Sequence, residues 1–208
     1  METTAVLVKR AASGDADAQF RLGYRFAFCR DPRRRDWRRA CQLWRAAARK
    51  AHPRAEFFLA TCYDFGRGTR KNLRLAMQWY RRAAESGHIV AAYNFGMGLR
   101  DGAGVAKDLR AAARWFAFAA SNGDAQAQND FAYCLHEGRG VRRDRRAAAQ
   151  WYLRAARAGV VRAQFNLGLC FHDGEGVAQS DRRAKYWLSK AADQGHTKAR
   201  EFLASWRA

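Results

Sequence analysis

Residues 127–162 read AQNDFAYCLHEGRGVRRDRRAAAQWYLRAARAGVVR, and this stretch decides the fold because its landmarks return every 36 residues. Ala55, Ala91, Ala127, Ala163 and Ala199 keep that step, as do Trp79, Trp115, Trp151 and Trp187. A fixed period of this length marks an array of like units, each burying its apolar face against its neighbours.

Within the stretch, Ala127, Phe131 and Leu135 fall at i, i+4 and i+8, and Ala148, Trp151, Tyr152 and Ala155 fall at i, i+3, i+4 and i+7. Both halves therefore read as amphipathic helices. Gly138-Arg139-Gly140 lies between them, matched by Gly66 and Gly68, Gly102 and Gly104, and Gly174 and Gly176, where the chain must reverse with φ above zero. Four residues past each second glycine stands Asn72, Asp108, Asp144 or Ser180, all side chains able to accept from the free amides of a helix start. Gly87, Gly123, Gly159 or Gly195 then ends the second helix. The unit is a helical hairpin, and the pattern predicts that Trp151 is buried between the helices of its own unit and the next.

Outward from this unit, the chain divides into repeats at 55–90, 91–126, 127–162 and 163–198, preceded by a degenerate repeat at 18–54. The degenerate repeat carries CRDPRRRDW where later units carry Gly-x-Gly, and its Trp44 arrives two residues late, which predicts a distorted first loop. Residues 1–17 read as a capping helix and 199–208 as a terminal half-repeat, so 1–208 is expected to form a single all-α repeat domain.

Composition narrows the function classes. The chain is 49% hydrophobic with only two prolines, which argues for order nearly from end to end. No apolar run approaches the roughly 18 residues that span a bilayer, and the start lacks a leader-like apolar segment, so no integral membrane segment and a cytoplasmic location are expected. Five cysteines without paired spacing argue against a disulfide framework. The net charge of +20 points to acidic partners.

The pattern Ala163-x-x-x-Leu167-Gly168, the loop Gly174-Glu175-Gly176-Val177 and the stretch Trp151-Tyr152-x-x-Ala155-Ala156-x-x-Gly159 resemble Sel1-like repeats, relatives of the tetratricopeptide repeat. The resemblance covers nearly the whole chain. It implies a right-handed α-solenoid used as an adaptor or scaffold for other macromolecules, often in bacterial signalling, envelope or host-interaction pathways. One subgroup of the family is cysteine-rich and secreted, with a disulfide between the two helices of each unit and binding of β-lactams. This chain departs from that subgroup. Cys62, Cys134 and Cys170 share one first-helix position, while Ala84, Ala156 and Ala192 stand where a bridging cysteine would be expected. Small buried thiols with no second-helix partner are the expectation.

No catalytic residue, metal ligand or cofactor is predicted. In Cys134-x-His136 and Cys170-x-His172 the side chains point about 200° apart on a helix, so neither pair chelates. His52, His88, His136, His172 and His196 sit at helix ends or beside loops, and such repetition argues for structure. No nucleophile elbow, phosphate-binding loop or dinucleotide fingerprint appears. An enzyme is therefore not expected, with a small-substrate hydrolase of the cysteine-rich type as the most distant alternative.

Two surfaces remain. The first is a groove formed by the first helices, with Phe58, Asn94, Asp130, Tyr133 and Asn166 as its candidate contacts for a protein partner. Asn94, Asp130 and Asn166 recur at one position. The asparagines among them brace neighbouring helices, and Asp130, which breaks the pattern, favours a basic or amide-rich ligand. The second surface is an Arg-rich edge: Arg33, Arg34, Arg35, Arg38, Arg39, Arg70, Lys71, Arg142, Arg143, Arg145, Arg146, Arg182 and Arg183. About half of all Lys and Arg lie in the loops and first turns of the second helices, about a quarter of the chain. Positive charge there opposes the helix dipole by up to about 0.3–1 kcal/mol per residue before screening, so stability does not explain it. An acidic protein is the expected partner, and a nucleic acid is the alternative.

Overall fold

The computed structural model describes residues 3–206. Met1, Glu2, Arg207 and Ala208, which fall in the expected terminal segments, lie outside the described residues. The described residues contain α-helices, one 3-10 turn and no strand. The helices are α1 (Thr4–Ala12), α2 (Ala16–Ala27), α3 (Trp37–Arg49), α4 (Pro53–Phe65), α5 (Leu73–Glu85), α6 (Ile89–Asp101), α7 (Leu109–Ser121), α8 (Ala125–Glu137), α9 (Arg145–Arg157), α10 (Val161–Asp173), α11 (Asp181–Asp193) and α12 (Thr197–Ser205). The chain is an all-α solenoid of tandem hairpins about 36 residues long, and it falls into two compact units, residues 1–107 with α1–α6 and residues 108–208 with α7–α12. In the degenerate loop, Pro32–Arg34 forms the 3-10 turn, with Asp31 accepting from the Arg33 amide.

Second helices begin as the sequence implies. Asn72, Asp108, Asp144 and Ser180 accept from the amides of Leu75, Ala111, Ala147 and Arg183. First helices use a cap that the residue pattern did not suggest. The Nδ1 atoms of His52, His88 and His196 accept from the amides of Ala55, Ala91 and Ala199, each at 3.2 Å. Their rings stack on Phe20, Phe57 and Phe165 of the preceding first helix, with centroids 5.0, 4.4 and 4.4 Å apart. One side chain thus both starts a helix and packs against the previous repeat.

Such a cap works only while Nδ1 is unprotonated. Burial holds His88 and His196 below the ordinary imidazole value of 6.5, and the nearby charges of Arg54 and Lys198 act in the same direction. Because the folded value lies below the unfolded one, this stability is complete above about pH 6.5 and is lost as pH falls through the folded value. The melting midpoint is expected to drop as pH falls below about 6.5. Asparagine at both positions keeps an acceptor that does not titrate and should flatten this dependence. An identical pH profile for the His88→Asn, His196→Asn protein would assign the drop to other groups.

Side chains early in the first helices also tie repeats together. Gln19, Gln128 and Gln164 donate from Nε2 to the carbonyls of Ala11, Ala120 and Ala156, and Arg200 donates from Nε to Ala192. Each reaches the C-terminal end of the preceding helix, where carbonyls lack helical partners. Glu56 holds the equivalent position in α4. It is 1% exposed, its Oε1 is 3.0 Å from Arg82 and its Oε2 has no partner, so desolvation raises its pKa.

The core departs from the expected register in one respect. Trp79, Trp115 and Trp151 are only half-buried, Trp187 alone of its series is buried, and the position buried in every repeat is the adjacent one: Trp44, Tyr80, Phe116, Tyr152 and Leu188. One residue on a helix is a rotation of about 100°, enough to carry Trp151 from the centre of the seam to its margin. Arg154 lies 4.4 Å over the Trp151 ring and Arg82 lies 4.6 Å over that of Trp79, so these indoles carry guanidinium groups on a face turned from the core. Trp44 belongs to the Tyr position. It is fully buried and donates from Nε1 to the Phe20 carbonyl at 3.2 Å.

The terminal helices cover apolar neighbours. In the first unit Leu7 and Ala11 of α1 pack with Ala18 and Leu22. In the second, Ala199, Phe202 and Leu203 of α12 cover Leu188, Ala191 and Phe165. Cys62, Cys134 and Cys170 are buried free thiols, as expected, and Cys62 shares a core cluster with Cys41 of α3.

Candidate functional site

In the first unit, the faces of α2 and α4 gather an aromatic cluster. Phe58 is half-buried, with its ring 4.8 Å from Trp44, 5.7 Å from Phe20, and in edge contact with Tyr24 at 5.8 Å and Phe28 at 5.9 Å. Phe20 and Trp44 form the floor, whereas Tyr24 and Phe28 remain 45% and 44% exposed. Such exposure is unusual for two adjacent rings already packed on a third. Next to them lies an open cleft of about 420 Å³ lined by Asp17, Phe20, Arg21, Tyr24, Arg25 and Arg54. Arg54 sits 4.5 Å over the Phe20 ring, Arg21 is 3.7 Å from Asp17, and Arg25 donates to Thr4 Oγ1 at 2.8 Å. The lining therefore carries three guanidinium groups and one carboxylate, of which Arg21 pairs with Asp17, beside exposed aromatic edges.

Phe58 is among the predicted contacts and packs beneath this cluster, whereas Arg21, Tyr24, Arg25 and Arg54 are outside the predicted set. The available signal was local: Arg21, Tyr24, Arg25 and Phe28 fall at i, i+3, i+4 and i+7 in the least regular repeat. They make a second stripe on α2, offset from the core stripe of Ala18, Leu22 and Ala27.

Asn94 lies elsewhere in the first unit, in a smaller cleft of about 270 Å³ with Asp64, Met77, Tyr93, Met97 and Asp101 among its lining residues. Beside it the Tyr80 hydroxyl donates to Asp64 Oδ2 at 3.1 Å. In the second unit, Asn166 Nδ2 donates to Asn129 Oδ1 at 3.4 Å, and Asn129 Nδ2 donates to Asp130 Oδ1 at 2.8 Å. Asp130 is 7% exposed, whereas Tyr133 is 42% exposed, with Arg139 lying 5.7 Å over its ring. The structure thus links Asp130 to Asn166 through Asn129, a residue outside the predicted set.

All thirteen residues of the basic edge are exposed. In the first unit, Arg34 and Arg39 pair with Asp31 and Asp36 at 3.6 and 3.3 Å, and Arg35 donates to the Cys29 carbonyl. In the second, Arg145 pairs with Glu175 at 3.2 Å, and the other oxygen of Glu175 lies 2.6 Å from His136 Nε2. Arg142, Arg143, Arg146, Arg182 and Arg183 have no ion pair among the described residues.

Tandem helical hairpins with exposed first-helix faces define a repeat scaffold of the tetratricopeptide-like class. The chain belongs to the Sel1 repeat family, whose model matches residues 16–52, 53–88, 89–124, 125–160 and 161–196. A Sel1 repeat protein from Oxalobacter formigenes is similar over 98% of this chain, with 33% identity and a TM-score of 0.81. A protective antigen from uropathogenic Escherichia coli strains, also of this fold, is 27% identical over 96% of this chain, with a TM-score of 0.76. This chain spans 58% and 50% of the lengths of those two structures. A Sel1 repeat protein from Klebsiella pneumoniae, 20% identical with a TM-score of 0.55 over all of both chains, shares the fold. No curated protein matches the sequence. Sel1 repeat proteins in general mediate protein–protein interactions and act as non-enzymatic scaffolds. Among the described residues, no helix is long and apolar enough to cross a membrane.

Proposed function

We propose that this protein is a non-enzymatic, cytoplasmic scaffold that binds an acidic protein segment on its first-helix faces, with the cleft between α2 and α4 as the anchor. The observation that carries this reading is the cleft itself, whose lining holds Arg21, Arg25 and Arg54 against the single carboxylate of Asp17, beside the exposed edges of Tyr24 and Phe28. An extended segment carrying carboxylates next to an aromatic or aliphatic side chain satisfies both features, because guanidinium pairs with carboxylate while the ring fills apolar space. Phe58 supports the anchor from beneath, and Asn94, Tyr133 and Asn166 offer further contacts within their own units, whereas the buried Asp130 holds Asn129 and does not meet an acidic segment. The exposed arginines at the second-helix starts steer the approach.

The test uses a fluorescent peptide of alternating Glu and Asp around one Phe, titrated by anisotropy, with a Lys-for-acid peptide as its control. The Arg21→Gln, Arg54→Gln protein should bind the acidic peptide at least about tenfold more weakly, since a charge-assisted hydrogen bond contributes about 1.5–3 kcal/mol. Equal binding of both peptides, or no effect of the two substitutions, would remove the cleft from the reading. The unpaired arginines of the second unit favour a second reading, nucleic-acid binding. Under that reading, replacing Arg142, Arg143, Arg145 and Arg146 by Gln should weaken binding of a duplex oligonucleotide and flatten log K against log salt by about 0.7–0.9 for each phosphate that is no longer neutralised. For a protein partner the same protein should chiefly associate more slowly.

A further inference from the structure

In the second unit a cavity of about 480 Å³ opens between α9, α10 and α11. Its floor is apolar: Phe171 and Trp187 are buried and Leu153 is half-buried. Its rim is cationic. Arg157, Arg182 and Arg183 are exposed, none of them has an ion pair among the described residues, and the lining contains no carboxylate. Arg183 lies 5.5 Å over the Phe171 ring, which sets a guanidinium directly against the floor. Tyr186 completes the lining and packs edge-on against Trp187, with centroids 5.0 Å apart. Lys190 lies 4.9 Å over the Tyr186 ring, yet Tyr186 stays 51% exposed, so it has area left for a planar group.

The repeat pattern does not account for this set. Positions 157, 183 and 186 are Ser121, Ala147 and Gln150 one repeat earlier, and Glu85, Ala111 and Arg114 two repeats earlier. Their neighbours do recur, since Trp187 follows Trp115 and Trp151, and Arg182 follows Arg110 and Arg146. Three exposed positions around one cavity thus change together while the packing positions are kept. Helix stability gives no reason for the change. Arg183 stands in the first turn of α11, where a cation opposes the helix dipole.

We propose that this cavity binds a nucleoside diphosphate, with the phosphates on Arg157, Arg182 and Arg183 and the base against Tyr186 and the apolar floor. Guanidinium is a planar donor that pairs with phosphate oxygens two at a time, and three such groups with no competing carboxylate offset the charge of two linked phosphates. A base is apolar on its faces, so it stacks on an exposed ring and covers floor that water otherwise wets. The cavity falls within the size range of small-ligand sites. Its cations converge on one place with rings beside them, which suits a compact ligand with one charged end and one flat end rather than a polymer that spreads its phosphates along an edge. An adjoining cavity of about 580 Å³ shares Arg157, Tyr186 and Trp187 and adds Lys190 and Asp193, whose charges offset each other, so it gives room beyond Tyr186 without adding net charge. The site lies in the second unit and uses no residue of the cleft between α2 and α4, so it stands or falls apart from the acidic-segment reading.

Calorimetric titration of the full chain with ADP, CDP, adenosine and pyrophosphate is the test. ADP or CDP should bind at a single site, and adenosine and pyrophosphate should each bind at least about tenfold more weakly than the better of the two, because each keeps only one part of the contacts. Arg183→Gln should weaken nucleotide binding by at least about tenfold, and Tyr186→Ala by about fivefold or more. Both positions are exposed, so both proteins should keep the wild-type circular dichroism spectrum. Arg162→Gln removes the same charge from α10 outside both cavities and should leave binding unchanged. The proposal is overturned if neither nucleotide binds up to about 1 mM, if pyrophosphate binds as tightly as the nucleotides, which would mark plain attraction to a basic surface, or if Arg162→Gln weakens binding as much as Arg183→Gln.

Discussion

Tyr152→Ala is expected to destabilise the second unit by about 3–5 kcal/mol, whereas Trp151→Ala, one residue earlier and larger in side chain, should cost about half as much or less. Tyr152 is 2% exposed and lies in a core with Ala148, Ala155, Ala156, Leu167 and Cys170, where the surrounding alanines cannot expand to fill the space of a missing ring. Trp151 keeps one face toward Phe131, with centroids 5.7 Å apart, while its other face carries Arg154. Truncating it exposes part of a margin rather than opening a cavity. Urea melts followed by circular dichroism measure the difference, with the transition fitted by unit because a repeat array need not unfold in one step. A larger loss for Trp151→Ala than for Tyr152→Ala would place Trp151 in the core after all.

That inversion shows what the sequence could and could not carry. The period, the hairpin, the second-helix caps and the loop glycines follow from residue types at fixed offsets, and each appears in the structure where its offset puts it. The choice between Trp151 and Tyr152 did not follow, because both are large, aromatic and compatible with the same helical stripe. The histidine caps were hidden because imidazole is a rare acceptor at a helix start. Their recurrence at 52, 88 and 196 was visible, but the partner ring came from another repeat. The cleft lined by Arg21 and Arg54 was hidden for a related reason. It joins helices of successive repeats, and a pattern read within one repeat contains no information on which side chains meet across the stack.

The loop glycines lead to the other large expected effect, because two glycines of similar conformation should differ sharply in tolerance. Gly140 has φ of 76° and Gly159 has φ of 89°, so alanine is strained at either, by about 1 kcal/mol. Space separates them. A Cβ on Gly159 meets nothing within 4 Å, whereas a Cβ on Gly140 would lie 2.1 Å from the backbone oxygen of Leu109 and 2.4 Å from its carbonyl carbon. Leu109 is the first residue of α7, so the clash is with the start of the preceding second helix, a backbone segment that cannot rotate away as a side chain can. Gly176 meets Arg145 of α9 in the same manner, with its Cβ position 2.0 Å from the carbonyl oxygen. The second glycine of each loop is thus a site of close approach between repeats as well as a turn residue. Gly140→Ala should cost about 2–5 kcal/mol, the strain plus the overpacking of an interface that must open, and Gly159→Ala about 1 kcal/mol. Thermal and urea melts of the two proteins compare them directly. Equal losses would mean that the loop yields without disturbing α7, and that the glycine is there for its backbone angle alone.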